Sequence, residues 1–311
     1  HIDSLSKRHV IFPKQFAMHR DGTVIVTANI KDLSSSELIQ QLGCEQEDDK
    51  IKLKVSTADS IVLKENPPSV DIANTLELLK ERGVGIFSQH VHAGESALLS
   101  LEEAVLARTH QDSRERFALL GAAKVPLAVQ IKDDPPSQWE RIEKAQPSII
   151  FLSPTTNRLH YCRHFFDWLQ SKGIQTPVIL SFSYTCSKEE LVIRSAAEYG
   201  ALLCDGLGEG LWIDGPYETD FLRTLSFNIL QAARMRSSKT EFISCPSCGR
   251  TLFDLQDVSK RIRSNSKYNF NASMSSLIVT ICFSELLKIK RINLANLLRY
   301  LTASSPLLFK I

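Results

Sequence analysis

No run of 18 or more apolar residues occurs anywhere in the 311 residues, so no membrane-crossing helix is expected. An excess of either charge is also missing. The 37 Lys and Arg against 35 Asp and Glu leave a net charge of +2, which gives no case for nucleic acid or an acidic membrane as a partner. Seven cysteines scattered over this length do not make a secreted disulfide framework, and they point to a reducing setting. Acidic residues run out near the end, where Glu285 is the only one after Asp257. The chain opens on His1 rather than Met and is read as a fragment, with any targeting segment lying upstream.

The composition that remains, 43% hydrophobic and 23% charged, suits one large globular domain or two ordinary ones. Residues His1 to His19 show little periodicity and read as a connector. His19-Arg20-Asp21-Gly22 then makes a turn before the strand Thr23–Val26. Further strands are expected at Ile51–Val55, Val84–Ser88, Leu127–Ile131, Ile149–Leu152, Val178–Phe182 and Ala201–Leu203. Helical spacing falls between them at Ser34–Leu42, Ala73–Arg82, Leu99–Thr109, Gln138–Ala145, Arg158–Lys172 and Lys188–Tyr199, and later at Phe221–Met235. Short apolar strands alternating with helices imply a parallel α/β arrangement. Periodicity alone leaves a closed barrel and an open sheet equally possible.

The stretch with the most chemistry is Cys245-Pro-Ser-Cys-Gly-Arg, followed by Leu252, Leu255, Val258 and Ile262 at helical spacing. Two thiols three positions apart in a turn can reach one metal centre, and a helix N-terminus behind them favours thiolate. The spacing alone fits half a zinc knuckle, half an iron–sulfur site, a redox dithiol or two idle thiols.

Upstream of this pair the chain reads Leu202-Leu-Cys-Asp-Gly-Leu-Gly-Glu-Gly210, then a long helix, then the basic stretch with Arg234, Arg236 and Lys239. Glycine turn, helix, basic hinge and cysteine pair in this order resemble the (E)-4-hydroxy-3-methylbut-2-enyl diphosphate synthases of the non-mevalonate isoprenoid pathway. The resemblance covers about Ala201 to Arg263, and it is closest to the plant-type form, which carries an inserted domain similar to a TIM barrel.

This resemblance implies an α/β fold in which residues 1–19 are a connector and 20–240 the inserted barrel. Residues 241–263 would begin an α+β iron–sulfur domain like that of sulfite reductase, and 264–311 form a divergent tail. It implies a 4Fe–4S cluster held in the family by three cysteines and a glutamate, with Cys245 and Cys248 matching the first two ligands. Cys282, after an apolar run, is a further candidate. Phe283-Ser284-Glu285 replaces the family's following motif, and Ile289 stands where the ligand glutamate is expected. The tail therefore departs from the family. The resemblance further implies reductive ring opening and dehydration of 2-C-methyl-D-erythritol 2,4-cyclodiphosphate, with ferredoxin or flavodoxin as electron donor. The setting would be a plastid stroma, or the cytoplasm of a bacterium. The family's arginine-rich diphosphate site would lie before His1, so no catalytic residue is expected within this chain. Arg234, Arg236 and Arg250 are candidates for contacting the diphosphate. The alternative is a non-catalytic α/β scaffold with an inert or zinc-binding cysteine pair.

Other residues carry blander readings. Gly206–Gly210, placed after a strand, reads as a structural turn more readily than a phosphate cradle; in two-domain relatives an arginine follows it, and here that position is Trp212. His90 and His92 share one face of an extended segment without a third ligand. His160 and His164, one helical turn apart, lack the glutamate of the zinc motif and read as a solvated helix face. Cys44, Cys162, Cys186 and Cys204 read as buried small residues.

Overall fold

Parallel strands pair in an unbroken ring, and the ring is what gives the chain its interior. The computed structural model describes residues 9–239, except 15, 29, 32, 48–49, 89–95 and 110–126, together with 257, 260 and 261. The chain divides into two compact units, His1–Ser238 and Lys239–Ile311. In the second unit, residues 257, 260 and 261 are helical and fall within the helix expected downstream of Cys248.

The ring consists of β1 (Thr23–Ala28), β4 (Ser60–Leu63), β5 (Gly85–Ser88), β6 (Ser96–Ser100), β7 (Ala128–Ile131), β8 (Ile149–Leu152), β9 (Val178–Ser183) and β10 (Gly210–Asp214). Each pairs in parallel with the next, and β10 pairs with β1 to close the barrel. This is the TIM-barrel-like α/β fold. β2 (Glu45–Glu47) and β3 (Lys50–Lys52) form a separate antiparallel pair outside the ring. Around it run α1 (Ser35–Gln41), α2 (Val70–Glu81), α3 (Leu101–Thr109), α4 (Pro136–Trp139), α5 (Arg141–Ala145), α6 (Arg158–Ser171), α7 (Lys188–Cys204) and α8 (Thr219–Ala232). Among the described residues no helix is long and apolar enough to cross a membrane.

Alternation along the strands divides the apolar residues into two layers. One set, including Val24, Val26, Ile61, Leu63, Leu180 and Leu211, packs outward against the helices. The other fills the barrel: Ile25, Val62, Phe87, Leu98, Ala128, Ile149, Phe151, Ile179 and Trp212. Phe16 joins this inner set although it precedes β1, in the stretch read as a connector. Its ring stacks on Phe87 at 5.3 Å, Phe87 meets Phe151 edge-on at 5.1 Å, and Phe151 meets Trp212 at 5.8 Å. Ser60 Oγ donates to Ala17 O at 2.9 Å beside it, so the segment plugs the floor, the end where the strands begin. Burying a phenylalanine this fully stabilises by about 2 kcal/mol.

Closure also depends on a missing side chain. A Cβ on Gly210 would lie 2.5 Å from Thr23 O and 2.8 Å from Ile179 Cδ1, so β10 approaches β1 only because residue 210 is glycine.

Three expected elements are corrected. Ala201–Leu203 is the last turn of α7 rather than a strand; Leu191, Ser195, Tyr199 and Leu202 are buried at helical spacing, and that run continues into it. The glycine turn Gly206–Gly210 therefore follows a helix and leads into β10, at the floor, with Gly206 at φ +75° and Gly208 at φ +97°. The expected strand Ile51–Val55 contributes only Ile51 and Lys52 to the outer hairpin, and the barrel strand is Ser60–Leu63. α2 begins at Val70 rather than Ala73, because Ser69 Oγ accepts the Ile72 amide as its N-cap.

Candidate functional site

The C-terminal ends of barrel strands form the face where this fold places its binding chemistry. Stepping two residues on from the inner apolar layer gives Thr27 in β1, Lys64 after β4, Ser100 in β6, Gln130 in β7, Ser153 after β8 and Asp214 in β10. Ser183 ends β9. A dry, aromatic middle thus gives way to a polar mouth. Asp214 is its centre. Lys64 Nζ donates to both carboxylate oxygens at 2.8 and 3.0 Å, Thr27 Oγ1 donates to Oδ1 at 3.0 Å, and Ser183 Oγ lies 3.4 Å from Oδ2. Trp212 Nε1 donates in turn to Thr27 Oγ1 at 3.0 Å. Across the mouth, Gln130 Nε2 donates to Ser153 Oγ at 3.0 Å.

Two cavities open on this face. One of about 650 Å³ lies over the ends of β10, β1 and β4 and is lined by Thr27, Ile30, Leu33, Lys64, Tyr217 and Leu222, among others. The other, about 800 Å³, lies over β8 and β9 and includes Asn157, Arg158, Tyr184, Cys186, Arg194 and Glu198. Of its two arginines, Arg194 pairs with Glu190 at the surface and Arg158 is committed to the fold. Arg158 Nη1 donates to Glu198 Oε2 and Nη2 to Ser183 O, both at 2.7 Å, and its guanidinium lies over the Tyr184 ring at 4.7 Å. Burial opposes the Arg158 charge, yet the hydrogen bond to Glu198, the Glu198 charge and the nearby Tyr184 and Tyr199 together outweigh it and hold the pKa above the ordinary value. Tyr184 Oη donates to the same Glu198 oxygen at 2.5 Å, and burial pushes its pKa far above the usual phenol range.

Sequence reasoning missed the mouth altogether. The alternation that reveals it needs the strands at Ser60–Leu63 and Gly210–Asp214, neither of which was expected. The Ser-Ile-Val-Leu-Lys and Gly-Leu-Trp-Ile-Asp runs, each apolar and ending on a charge, were the available signal.

Of the residues singled out from the sequence, Cys245, Cys248, Arg250 and Cys282 lie outside the described residues, as do His90 and His92. Arg234 is exposed at φ +58°, just after α8. Arg236 is buried: its Nη1 donates to Asp59 Oδ2 at 2.5 Å and to Gly22 O at 3.0 Å, and it lies over the Phe227 ring at 5.0 Å. Its charge is spent on the barrel floor. Trp212 lies inside the barrel. His160 and His164 are exposed on α6, as a solvated face requires. Cys44 and Cys162 are buried; Cys186 is only partly so, and Cys204 is exposed, which corrects the expectation that all four are buried. Among the described residues no group of three or more His, Cys, Asp or Glu is placed to hold a metal ion.

No family model matches the chain. Curated relatives do. The 4-hydroxy-3-methylbut-2-en-1-yl diphosphate synthase (flavodoxin) of Protochlamydia amoebophila is 45% identical over 269 residues, which cover 86% of this chain and 41% of the relative. The chain belongs to the 4-hydroxy-3-methylbut-2-en-1-yl diphosphate synthase family. Plant members match as well. The chloroplastic, ferredoxin-named synthases of Oryza sativa subsp. japonica and Arabidopsis thaliana are 35% identical over 265 residues and 34% over 264, in each case 81% of this chain and 35% of the relative. The chain thus spans about two-fifths or less of the length of the curated relatives it matches.

Proposed function

We propose that this chain is the barrel-and-cysteine portion of a 4-hydroxy-3-methylbut-2-en-1-yl diphosphate synthase. The observation that carries the proposal is the 45% identity over 86% of the chain to the Protochlamydia enzyme. On this reading the complete enzyme opens the ring of 2-C-methyl-D-erythritol 2,4-cyclodiphosphate with two electrons and loss of water. It is an iron–sulfur oxidoreductase of isoprenoid synthesis. Residues 20–240 form an inserted barrel, 241–263 begin the iron–sulfur domain, and 264–311 are a divergent tail. The barrel contributes none of the catalytic residues.

Cys245 and Cys248 supply two thiolates to a 4Fe–4S cluster, with Cys282 as a third candidate. Soft thiolate ligands suit iron–sulfur centres, and the described part of the chain offers no competing donor set. A bound cluster would supply electrons one at a time and an open iron coordination position. Arg234, exposed after α8, is a candidate diphosphate contact, together with Arg250. Arg236 is the poorest of the three, because Asp59 already neutralises it. The electron donor is flavodoxin or ferredoxin, the two named for the relatives. The setting is a plastid stroma, as for the chloroplastic plant relatives, with the cytoplasm of a bacterium as the alternative, since a bacterial relative matches too.

Anaerobic reconstitution with iron and sulfide tests the cysteine assignment. The expected result is iron bound to the native chain and lost from Cys245→Ser and Cys248→Ser. Full iron content in both variants, or stoichiometric zinc in place of iron, would overturn it.

A further inference from the structure

We propose that the mouth of this barrel is a binding site for a small, uncharged, hydroxylated molecule. Four neighbouring strands of the ring, β9, β10, β1 and β4, bring Ser183, Asp214, Thr27 and Lys64 into one hydrogen-bonded cluster. The Asp214 carboxylate is held on both oxygens, and the Trp212 indole orients the Thr27 hydroxyl toward it from below. Such fixing is what a binding site needs from its polar groups.

Stability does not account for the cluster. The Lys64 side chain is 45% exposed and that of Asp214 17%, and an ion pair of this kind contributes about 0–1 kcal/mol. The same cluster borders a cavity of about 650 Å³, within the range of small-molecule sites. Thr27 and Lys64 line that cavity on one side, and Ile30, Leu33 and Leu222 give it an apolar wall.

Charge narrows the ligand class. Among the described residues the one cation lining the cavity, Lys64, is committed to Asp214; Glu65 and Glu218 also line it, and Glu218 is paired with Lys188 at 2.7 Å. An anion such as a diphosphate would meet the Glu65 carboxylate, and the two nearby ammonium groups, Lys64 and Lys188, are already paired with Asp214 and Glu218. A cation entering the cluster itself would have to displace Lys64 from Asp214. An alcohol or polyol meets neither obstacle, because its hydroxyls can donate to Thr27 Oγ1 and accept from Lys64 while its carbons lie on the apolar wall. The site therefore disfavours the diphosphate chemistry proposed for the complete enzyme, and it stands or falls independently of that reading.

The test is a titration of the full 311-residue chain, labelled with ¹⁵N at tryptophan. The indole signal of Trp212, identified by its loss in Trp212→Phe, reports on the cluster through Thr27, while Trp139 and Trp168 serve as internal controls. The probes are glycerol, erythritol and xylitol, with inorganic pyrophosphate as the anionic comparator. A saturable shift of the Trp212 signal is expected with at least one polyol and none with pyrophosphate. In Lys64→Met and Thr27→Val the shift should vanish while the Trp139 and Trp168 signals keep their native positions. The proposal fails if none of the three polyols shifts the Trp212 signal, if pyrophosphate shifts it equally, or if the shift persists in both variants.

Discussion

Arg236, leaving α8, reaches back to the start of β4 and places Nη1 2.5 Å from Asp59 Oδ2. Asp59 Oδ2 also accepts the Val24 amide at 2.8 Å, and Arg236 Nη1 donates to Gly22 O as well. One buried pair thus joins the end of the last barrel helix to the beginnings of β1 and β4. Their side chains are 8% and 15% exposed, so removing one partner leaves the other charge desolvated and alone.

Breaking this pair from one side should therefore be costly. Arg236→Met is expected to lose about 3–5 kcal/mol, in the range measured for orphaned buried charges. The double variant Arg236→Met with Asp59→Asn should regain part of that loss. Urea unfolding of the three proteins checks it, and equal loss in single and double variants would show that the pair is not coupled.

Gly210 offers a second test of barrel closure. Gly210→Ala puts a methyl group against Thr23 O and Ile179, where little can move. The expected cost is about 1–3 kcal/mol, as for overpacked cores. A melting temperature within a degree of the native value would show that β1 and β10 tolerate a wider separation.

Burial should also set the alkaline limit of stability. Burial pushes the Cys162 thiol up to about 12 from an ordinary 9.0. Because the folded value is the higher one, the stabilisation is fully present below pH 9 and is lost as the pH rises toward 12. Buried Tyr199, also held well above its ordinary value, adds to the same trend from pH 10 upward. Urea midpoints should hold steady up to about pH 9 and fall beyond it, and Cys162→Ala should fall less steeply. At pH 8 a thiol reagent should label Cys204 rapidly and Cys162 only on unfolding.

The 311 residues incubated alone with the cyclic diphosphate, iron, sulfide and a strong reductant should yield no product. More than half the length of each relative has no counterpart here, and positioning of substrate supplies several kcal/mol of an enzyme's rate enhancement. Product above a free-cluster control would place catalytic groups inside this chain.

Much of the barrel could be read from periodicity. Ile149–Leu152 matches its expected span, and α6 and α8 lie within a residue or a few of theirs. The misreadings share a cause. Ala201–Leu203 is a short apolar run at the end of a helix, and such runs look alike in helix and strand. Ser60–Leu63 is only four residues long and follows a hairpin with a stronger strand pattern of its own. Family membership rested on residues 201–263, a stretch most of whose cysteine end the structure does not describe, whereas the polar mouth emerged only from three-dimensional register. Asp214, Lys64 and Thr27 are 150 or more residues apart in two of their three pairings, and no local motif joins them.

The contact between Gly22 and Arg236 brings the two ends of the barrel within a single hydrogen bond of each other. A module whose incoming and outgoing strands of chain share one attachment point behaves as a cassette. A host protein can accept it at a surface loop without parting its own fold, since the two cut ends hardly separate.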